Sequence, residues 1–440
     1  MQQQFYELSD FIQSKLLPDE HFTCNFVAED SDFVRVNKGK VRQSGNVWQQ
    51  SLQLKLIFGN KHVATKMMLT GVGSEDRAQV SNAISALREK LPFLPDDPYL
   101  LIAETPDSTA DHADNHLIKT PEMVEQIVTA GQGLDMVGIL ASGGIYRGFS
   151  NSYGQRNWFC THNFNFDWSL VHNANKAVKS TYAGTKWDSE AFTAKMALAK
   201  RKLSALQRPA VTLNPGEYRV FLTPEALWEI LELLCWGGFS IRSVKSKVSP
   251  LIKLVENEES LHKMFSMYEN VKDGSSPQFQ ADGFLRPNRI PLIANGRFVE
   301  ALVSPRSSKE YNTSTNGASS SESPDSLDVM PGTLKSNQVL QKLETGVHVG
   351  NLWYLNYSDR SGCRITGMTR FATFWVENGE VVGPLNVMRF DDTVYRMLGS
   401  NLMGLTDERD FLLSASSYHN RSTHSARLPG AMIENFRFTL

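Results

Sequence analysis

EYRVFLTPEALWEILELLCWGG, residues 217–238, is the stretch from which the rest of the chain is read. Tyr218 to Leu222 alternates and is β-prone, Thr223 is a good helix cap, Pro224 suits the first helical position, and Glu225 complements the positive end of the helix dipole. A strand is expected to run straight into a helix. Along that helix Leu227, Ile230, Leu231, Leu234 and Cys235 make one apolar stripe, Glu225, Glu229 and Glu232 mark an acidic outer face, and Gly237-Gly238 supply the stop. This is the pattern of a core helix. A zinc hydrolase built on it needs two histidines one turn apart and a glutamate to activate the metal-bound water. No histidine lies between His172 and His262.

The chain around this stretch has 440 residues, enough for two or three units that each bury a core. A formal net charge of -2 argues against a nucleic-acid or membrane-surface partner found by electrostatics alone. No apolar run reaches the roughly 20 residues of a membrane helix, and the start, MQQQFYELSD, has neither a basic nor an apolar signal region, so a cytoplasmic location is expected. Cys24, Cys160, Cys235 and Cys363 form no CxxC pair, which fits reduced, buried thiols.

Residues 4–17 place Phe5, Leu8, Phe11, Ile12 and Leu16 on one helical face. Strands are expected at 22–28, 33–36, 47–58 and 62–69, followed by a helix capped by Ser74 and ending before Pro92. Residues 93–118, rich in Pro, Asp and Thr, read as a linker. Residues 119–210 read as a middle α+β unit: a helix from Thr120, strands 134–141, 145–153 and 156–169, and a helix 189–206 with Lys195, Lys200, Arg201 and Lys202 on its solvated side. Its aromatics fit a sheet core better than a base-stacking surface, because few basic residues interleave with them. Residues 211–440 read as a mainly β unit with turns at Asp282-Gly283, Asn295-Gly296 and Asn378-Gly379 and a Ser-rich loop over 304–331, either a flap or disordered. The expected class is α+β: N-terminal α+β layers over 1–92 and 119–210, then a β-rich C-terminal domain.

Four groups of residues invite a chemical reading. Asp111, His112, Asp114 and His116 cluster in sequence, but a polar loop without a fixed element usually faces water. Cys363 with His348 suggests a thiol nucleophile and base, against a structural thiol. His162 and His172 would meet only across a hairpin. His419 and His424 are five apart, off the spacing that puts two ligands on one helical face, and read as solvated tail residues.

Taken together, Gly148-Phe149-Ser150-Asn151-Ser152-Tyr153-Gly154, Val220-Phe221-Leu222-Thr223-Pro224-Glu225, Asp282-Gly283 followed by Arg289 and Gly296, Thr315-Asn316-Gly317, Pro331-Gly332, Glu344-Thr345-Gly346 and Phe374-Trp375-Val376-Glu377-Asn378-Gly379 resemble the TldD/PmbA family, and its PmbA (TldE) branch more than its TldD branch. The order and spacing of these fragments carry the resemblance over nearly the whole chain. In that family the TldD-type member has H-E-x-x-x-H on the helix after the strand and a cysteine ligand near the C terminus. The resemblance puts the motif near Glu232-Leu233-Leu234-Cys235-Trp236-Gly237, which holds neither histidine, and the tail Arg427-Leu428-Pro429-Gly430-Ala431 has no cysteine. Where the family usually reads T-G-D-[FY]-S, this chain has Thr366-Gly367-Met368-Thr369-Arg370, so no site is carried over from that segment.

The resemblance therefore implies a non-catalytic PmbA/TldE-like subunit that pairs with a TldD-like zinc peptidase in processing unfolded peptides. No catalytic, cofactor-binding or metal residue and no cofactor of its own are expected, and neither nucleic acid nor membrane is an expected partner. A homo- or heterodimer is expected. The alternatives are a stand-alone hydrolase using Cys363 or a histidine pair, and a peptide-binding homodimer without peptidase activity.

Overall fold

The computed structural model describes residues 1–173 and 176–439. Helix α1 (Gln2–Ser14) buries Phe5, Leu8 and Ile12 and leads into a meander of β1 (Glu20–Asn37), β2 (Lys40–Phe58) and β3 (Lys61–Leu69). The two strands expected at 22–28 and 33–36 are one. The polar break Glu29 to Asp32 stays in register with β2 on one side, and Ser31 Oγ donates to Glu29 Oε2 at 3.1 Å. Helix α2 (Gly73–Lys90) follows, and Ser74 does not cap it. Asp76 instead reaches back from the first turn, taking hydrogen bonds from the amides of Thr70 (2.8 Å) and Gly71 (3.1 Å).

The segment expected as a linker contains β4 (Thr109–His112). After it come α3 (Thr120–Ala130), β5 (Met136–Asn151), β6 (Arg156–Asn173), β7 (Lys176–Gly184) and α4 (Ser189–Leu206). One seven-stranded sheet orders these strands β3-β2-β1-β5-β6-β4, with β7 also on β6. Because β1 pairs with β5 from Thr23↔Asn151 to Val36↔Gly138, residues 1–92 and 119–210 contribute strands to the same sheet. Gly143, at φ +140°, permits this pairing, since a Cβ there would stand 2.1 Å from the Asp30 carbonyl oxygen. Phe149, Trp158, Phe164, Phe166 and Trp168 are all buried, as the sheet-core reading requires.

The second layer begins with β8 (Gly216–Leu222) and α5 (Pro224–Cys235). Thr223 joins them: its hydroxyl caps the helix by accepting from the Ala226 amide at 3.3 Å and donates to the Gly350 carbonyl at 2.8 Å. At the other end Arg360 donates to the Trp236 carbonyl at 2.6 Å, placing a cation at the negative end of the dipole. Short elements follow: α6 (Ile241–Lys245), α7 (Ile252–Val255), β9 (Met267–Glu269), β10 (Ile290–Ala294), β11 (Arg297–Phe298), α8 (Pro305–Tyr311), β12 (Ser326–Val329) and α9 (Val339–Leu343). Long strands complete it: β13 (Gly346–Asp359), β14 (Arg364–Glu377), β15 (Glu380–Pro384), β16 (Arg389–Thr393), β17 (Leu402–Leu413) and β18 (Ser425–Phe438).

Eleven strands form this second sheet, and β8 pairs with β13 in parallel and with β18 antiparallel. With β13–β14, β14–β16 and β16–β18 pairing in turn, the ring closes on itself. Leu227, Ile230, Leu231 and Leu234 of α5 are fully enclosed in its core beside Val349, Ile365, Phe390, Leu428 and Ile433. Asn295-Gly296 and Asn378-Gly379 have positive φ at both residues, as two-residue hairpin turns require.

The loop over 304–331 is clasped at several points. Glu322, with no exposed surface, accepts from the hydroxyls of Ser240 and Ser304 and from the amides of Arg242 (3.3 Å) and Ser304 (3.0 Å), so one carboxylate closes the N-termini of α6 and α8. Asn316 accepts from the Val303 amide (2.9 Å) and donates to the Ala301 carbonyl (2.8 Å), while a Cβ at Gly317 would lie 2.4 Å from the Leu285 oxygen. Burial opposes the Glu322 charge, but the Ser240 and Ser304 hydrogen bonds outweigh it and hold the carboxyl below its usual range.

A lowered carboxyl pKa adds stability above its unfolded-state value, and that stability is lost as pH falls through the folded-state value. Glu322→Gln turns an amide group toward donors and should cost about 2–3 kcal/mol at pH 7. Urea unfolding should show this cost shrinking at acid pH; a pH-independent cost would contradict the ionised clasp.

Candidate functional site

On the polar face of α5, Trp228, Glu229 and Glu232 project one turn apart or less, where the apolar stripe leaves the helix uncovered. Two pieces of chain face them. From the first sheet comes Lys179 of β7, whose charge acts on Glu229. From the segment between β17 and β18 comes His424, with Nε2 3.4 Å from Glu232 Oε1 and its ring stacked on Trp228 at 6.0 Å between centroids.

His424 is placed there by Arg421, three residues earlier. The buried Arg421 guanidinium donates to the carbonyls of Asn163 (3.0 Å) and Gly143 (3.3 Å) and to the Asn163 side chain, and the Arg421 amide donates to Glu29 Oε2 at 3.2 Å. Burial lowers the guanidinium to about 10, still charged at neutral pH, with Glu29 supporting the charge. Asn165 holds the same segment through the Leu413 carbonyl at 3.1 Å. Between β6 and residues 413–422 lies a cleft of about 770 Å³, bordered by Asn163, Asn165 and Asp167 on one wall and Ser414 and Ser416 on the other.

Electrostatics at the helix face are set by enclosure. Desolvation works against a charged His424 ring, but the hydrogen bond and charge of Glu232, with Asp325 and Glu269 adding, outweigh it and raise the imidazole above its usual pKa. Glu229 is raised by burial and by the neighbouring Glu232. Behind this face Arg286 pairs with Glu269 (3.1 Å) and Asp325 (2.6 Å), and burial pushes the Glu269 carboxyl up.

The other sequence candidates do not converge. Asp111, His112, Asp114 and His116 are exposed, the first two on β4. His162 and His172 stand on the same strand, β6, rather than on two that form a hairpin; ten residues at about 3.3 Å each hold them roughly 33 Å apart. Cys363 lies at the tip of the β13–β14 arm and His348 at its base, on the order of 30 Å away along the strand. Burial pushes the Cys363 thiol up to about 12, the opposite of what a nucleophile needs. His419 is exposed, but His424 is not a solvated tail residue: the tail folds back over α5. On α4, Lys195 is tied to Asp410 at 2.8 Å and Lys202 lines a cavity, so neither belongs to a solvated face. The sequence signal for His424 was only Glu232 on an acidic face awaiting a cation, with nothing to say which.

Two measurements check this geometry. A raised histidine pKa means that the pair's stability is fully present below the unfolded value of about 6.5 and is lost as pH rises through the folded value. The His424 ring resonance should therefore titrate above 6.5 in the intact chain and at a clearly lower pH in Glu232→Gln, where only the more distant Asp325 and Glu269 still oppose burial; a wild-type midpoint at or below 6.5 would refute the pair. Iodoacetamide should leave Cys363 unmodified in the native chain and label it in urea, and rapid native labelling would revive the thiol reading.

Comparison with known proteins follows the fold closely. The family described as PmbA/TldA metallopeptidase C-terminal domain matches residues 215–440. No curated protein matches the chain in sequence. Among solved structures, TldE from Thermococcus kodakarensis superposes with a TM-score of 0.78 at 14% identity, covering 99% of this chain and 100% of that one. A Thermotoga maritima protein described as a candidate modulator of a DNA gyrase gives 0.77 at 14% identity, with 99% and 100% covered. A similarly described protein from Bacteroides thetaiotaomicron gives 0.74 at 14%, with 99% and 98% covered. At such identities these structures speak for the fold alone. With strand, capped helix and closed β ring all inside the matched segment, the chain belongs to the PmbA/TldD metallopeptidase family.

Proposed function

We propose that this chain is a non-catalytic, PmbA/TldE-like subunit that helps a TldD-like zinc peptidase to handle unfolded peptides. The observation that carries the reading is the donor set on α5. A hydrolytic zinc needs three protein ligands and an open position. Among the described residues no three His, Cys, Asp or Glu side chains gather to hold a metal ion. Glu232 and His424 are engaged with each other, and Trp228 takes the place beside them with an indole, which offers no lone pair to a metal. The residues present do not fit the zinc that the family name implies.

Peptide handling is supported by the cleft beside β6. Asn163, Asn165, Ser414 and Ser416 there offer partners for the backbone of an extended chain, and Phe33, Ile139, Trp168 and Phe371 offer apolar surface for its side chains. The β-rich unit from residue 211, which includes the matched segment 215–440, would then present α5 while the N-terminal sheet supplies the opposite wall. Among the described residues no helix is long and apolar enough to cross a membrane.

Co-purification from the native cell, with metal analysis of each component, tests the proposal. The expected result is a complex in which zinc resides in a TldD-like partner, while the isolated chain holds less than about 0.1 zinc per protomer and leaves casein intact, as a two-ligand site predicts. A chain that alone retains stoichiometric zinc and cleaves casein would end it. A stable homodimer with no peptidase companion would favour the peptide-binding alternative.

A further inference from the structure

A second cavity, of about 710 Å³, opens at the N-terminal end of α5, between α4, the strand bases of β13 and β14, and α9. Its apolar wall includes Leu198, Phe221, Val339 and Phe374. His348 Nδ1 is buried without a hydrogen-bond partner, between the rings of Phe221 (5.4 Å) and Phe374 (6.4 Å). Lys202 is half-buried; among the described residues its ammonium has neither a hydrogen bond nor a direct ion pair, although the charges of Glu225 and Asp410 act on it. It is close enough to His348 for its charge to act on the ring.

Charge around the cavity is nearly balanced but leaves a cation over. Lys195 is matched by Asp410 at 2.8 Å and Lys179 by Asp167 at 3.6 Å. Arg201, Lys202 and Arg208 then face Glu225 and Glu408, one positive charge in excess. The N-terminus of the twelve-residue α5 opens on the same space through Thr223, Pro224 and Glu225, adding a positive dipole end. An ammonium partly withdrawn from water and lacking a direct ion pair gains from a carboxylate placed against it.

We propose that this cavity binds the carboxylate of a small apolar ligand, with Lys202 as its ion-pair partner. One negative charge removes the excess, and the apolar wall takes the remainder of the molecule. The C-terminal carboxylate of an apolar peptide and a free short-chain acid share this chemistry. The peptide source rests on the peptide-handling reading above; the carboxylate site itself does not, nor does it depend on whether α5 carries a metal.

Calorimetric titration of the full chain at pH 7 with acetyl-trileucine, its C-terminal amide and hexanoate tests the site. The free acid should bind at least tenfold more tightly than the amide. Lys202→Met should abolish that difference without lowering Tm, because it removes an unpaired charge, and Lys202→Arg should keep most of it. Binding of hexanoate but not of either peptide would retain the carboxylate site and exclude the peptide source. Equal binding of acid and amide, unchanged binding in Lys202→Met, or no binding of any probe would overturn the proposal, and none of these results bears on the zinc measurement.

Discussion

The buried guanidinium of Arg421 is the contact on which the arrangement of the two layers turns. It crosses from the segment after β17 to the middle of the first sheet, where Glu29 supplies the opposite charge and Asn163 and Gly143 supply acceptors. A second arginine, Arg147, lies beside it and donates to the Arg421 carbonyl at 3.3 Å. Removing one member of such a group leaves charge uncompensated in the interior, a loss on the order of 3–5 kcal/mol. The same contact determines where His424 falls, and so whether the exposed side of α5 meets a cation or open water.

The fragments by which the chain resembles its family serve as joints between layers. Asn151 accepts from the Tyr153 and Gln155 amides and donates to the Ala103 carbonyl, holding the chain between the sheets. Asp282 pairs with Lys55 at 2.7 Å, and Gln155 donates to the Gly283 carbonyl at 2.7 Å. Gly283, at φ +91°, packs where a Cβ would stand 2.8 Å from the Phe149 ring. Thr315-Asn316-Gly317 closes the 304–331 loop in the same manner. These residues carry geometry and no chemistry, which is why a chain can keep the family's joints while presenting a different donor set on α5.

Two parts of α5 meet different surroundings. Near its middle, Trp228 and Glu232 meet His424 from the segment before β18. Its N-terminus opens on an apolar space that Lys202 of α4 also lines. Both depend on the closure of the ring through β8, because Thr223 ties the helix start to Gly350 of β13.

Period and punctuation settled much of this in the sequence itself. The capped helix after Leu222, the two Asn-Gly hairpins, the aromatic sheet core and the lack of a histidine pair on α5 are local properties, decided by neighbours within a few residues. Separation of the strands at 22–28 and 33–36 failed because the polar residues Glu29 to Asp32 look like a turn until Arg421, about 390 positions away, makes them a buried anchor. For the same reason β4 was hidden in an apparent linker, His424 looked like a tail residue, and Lys195 and Lys202 looked solvated. Each is defined by a partner distant in the chain. Local spacing determines which face of an element is apolar; only the folded chain decides what a polar side chain on the other face meets, because charges and hydrogen bonds act over a few ångströms of space whatever their separation in sequence.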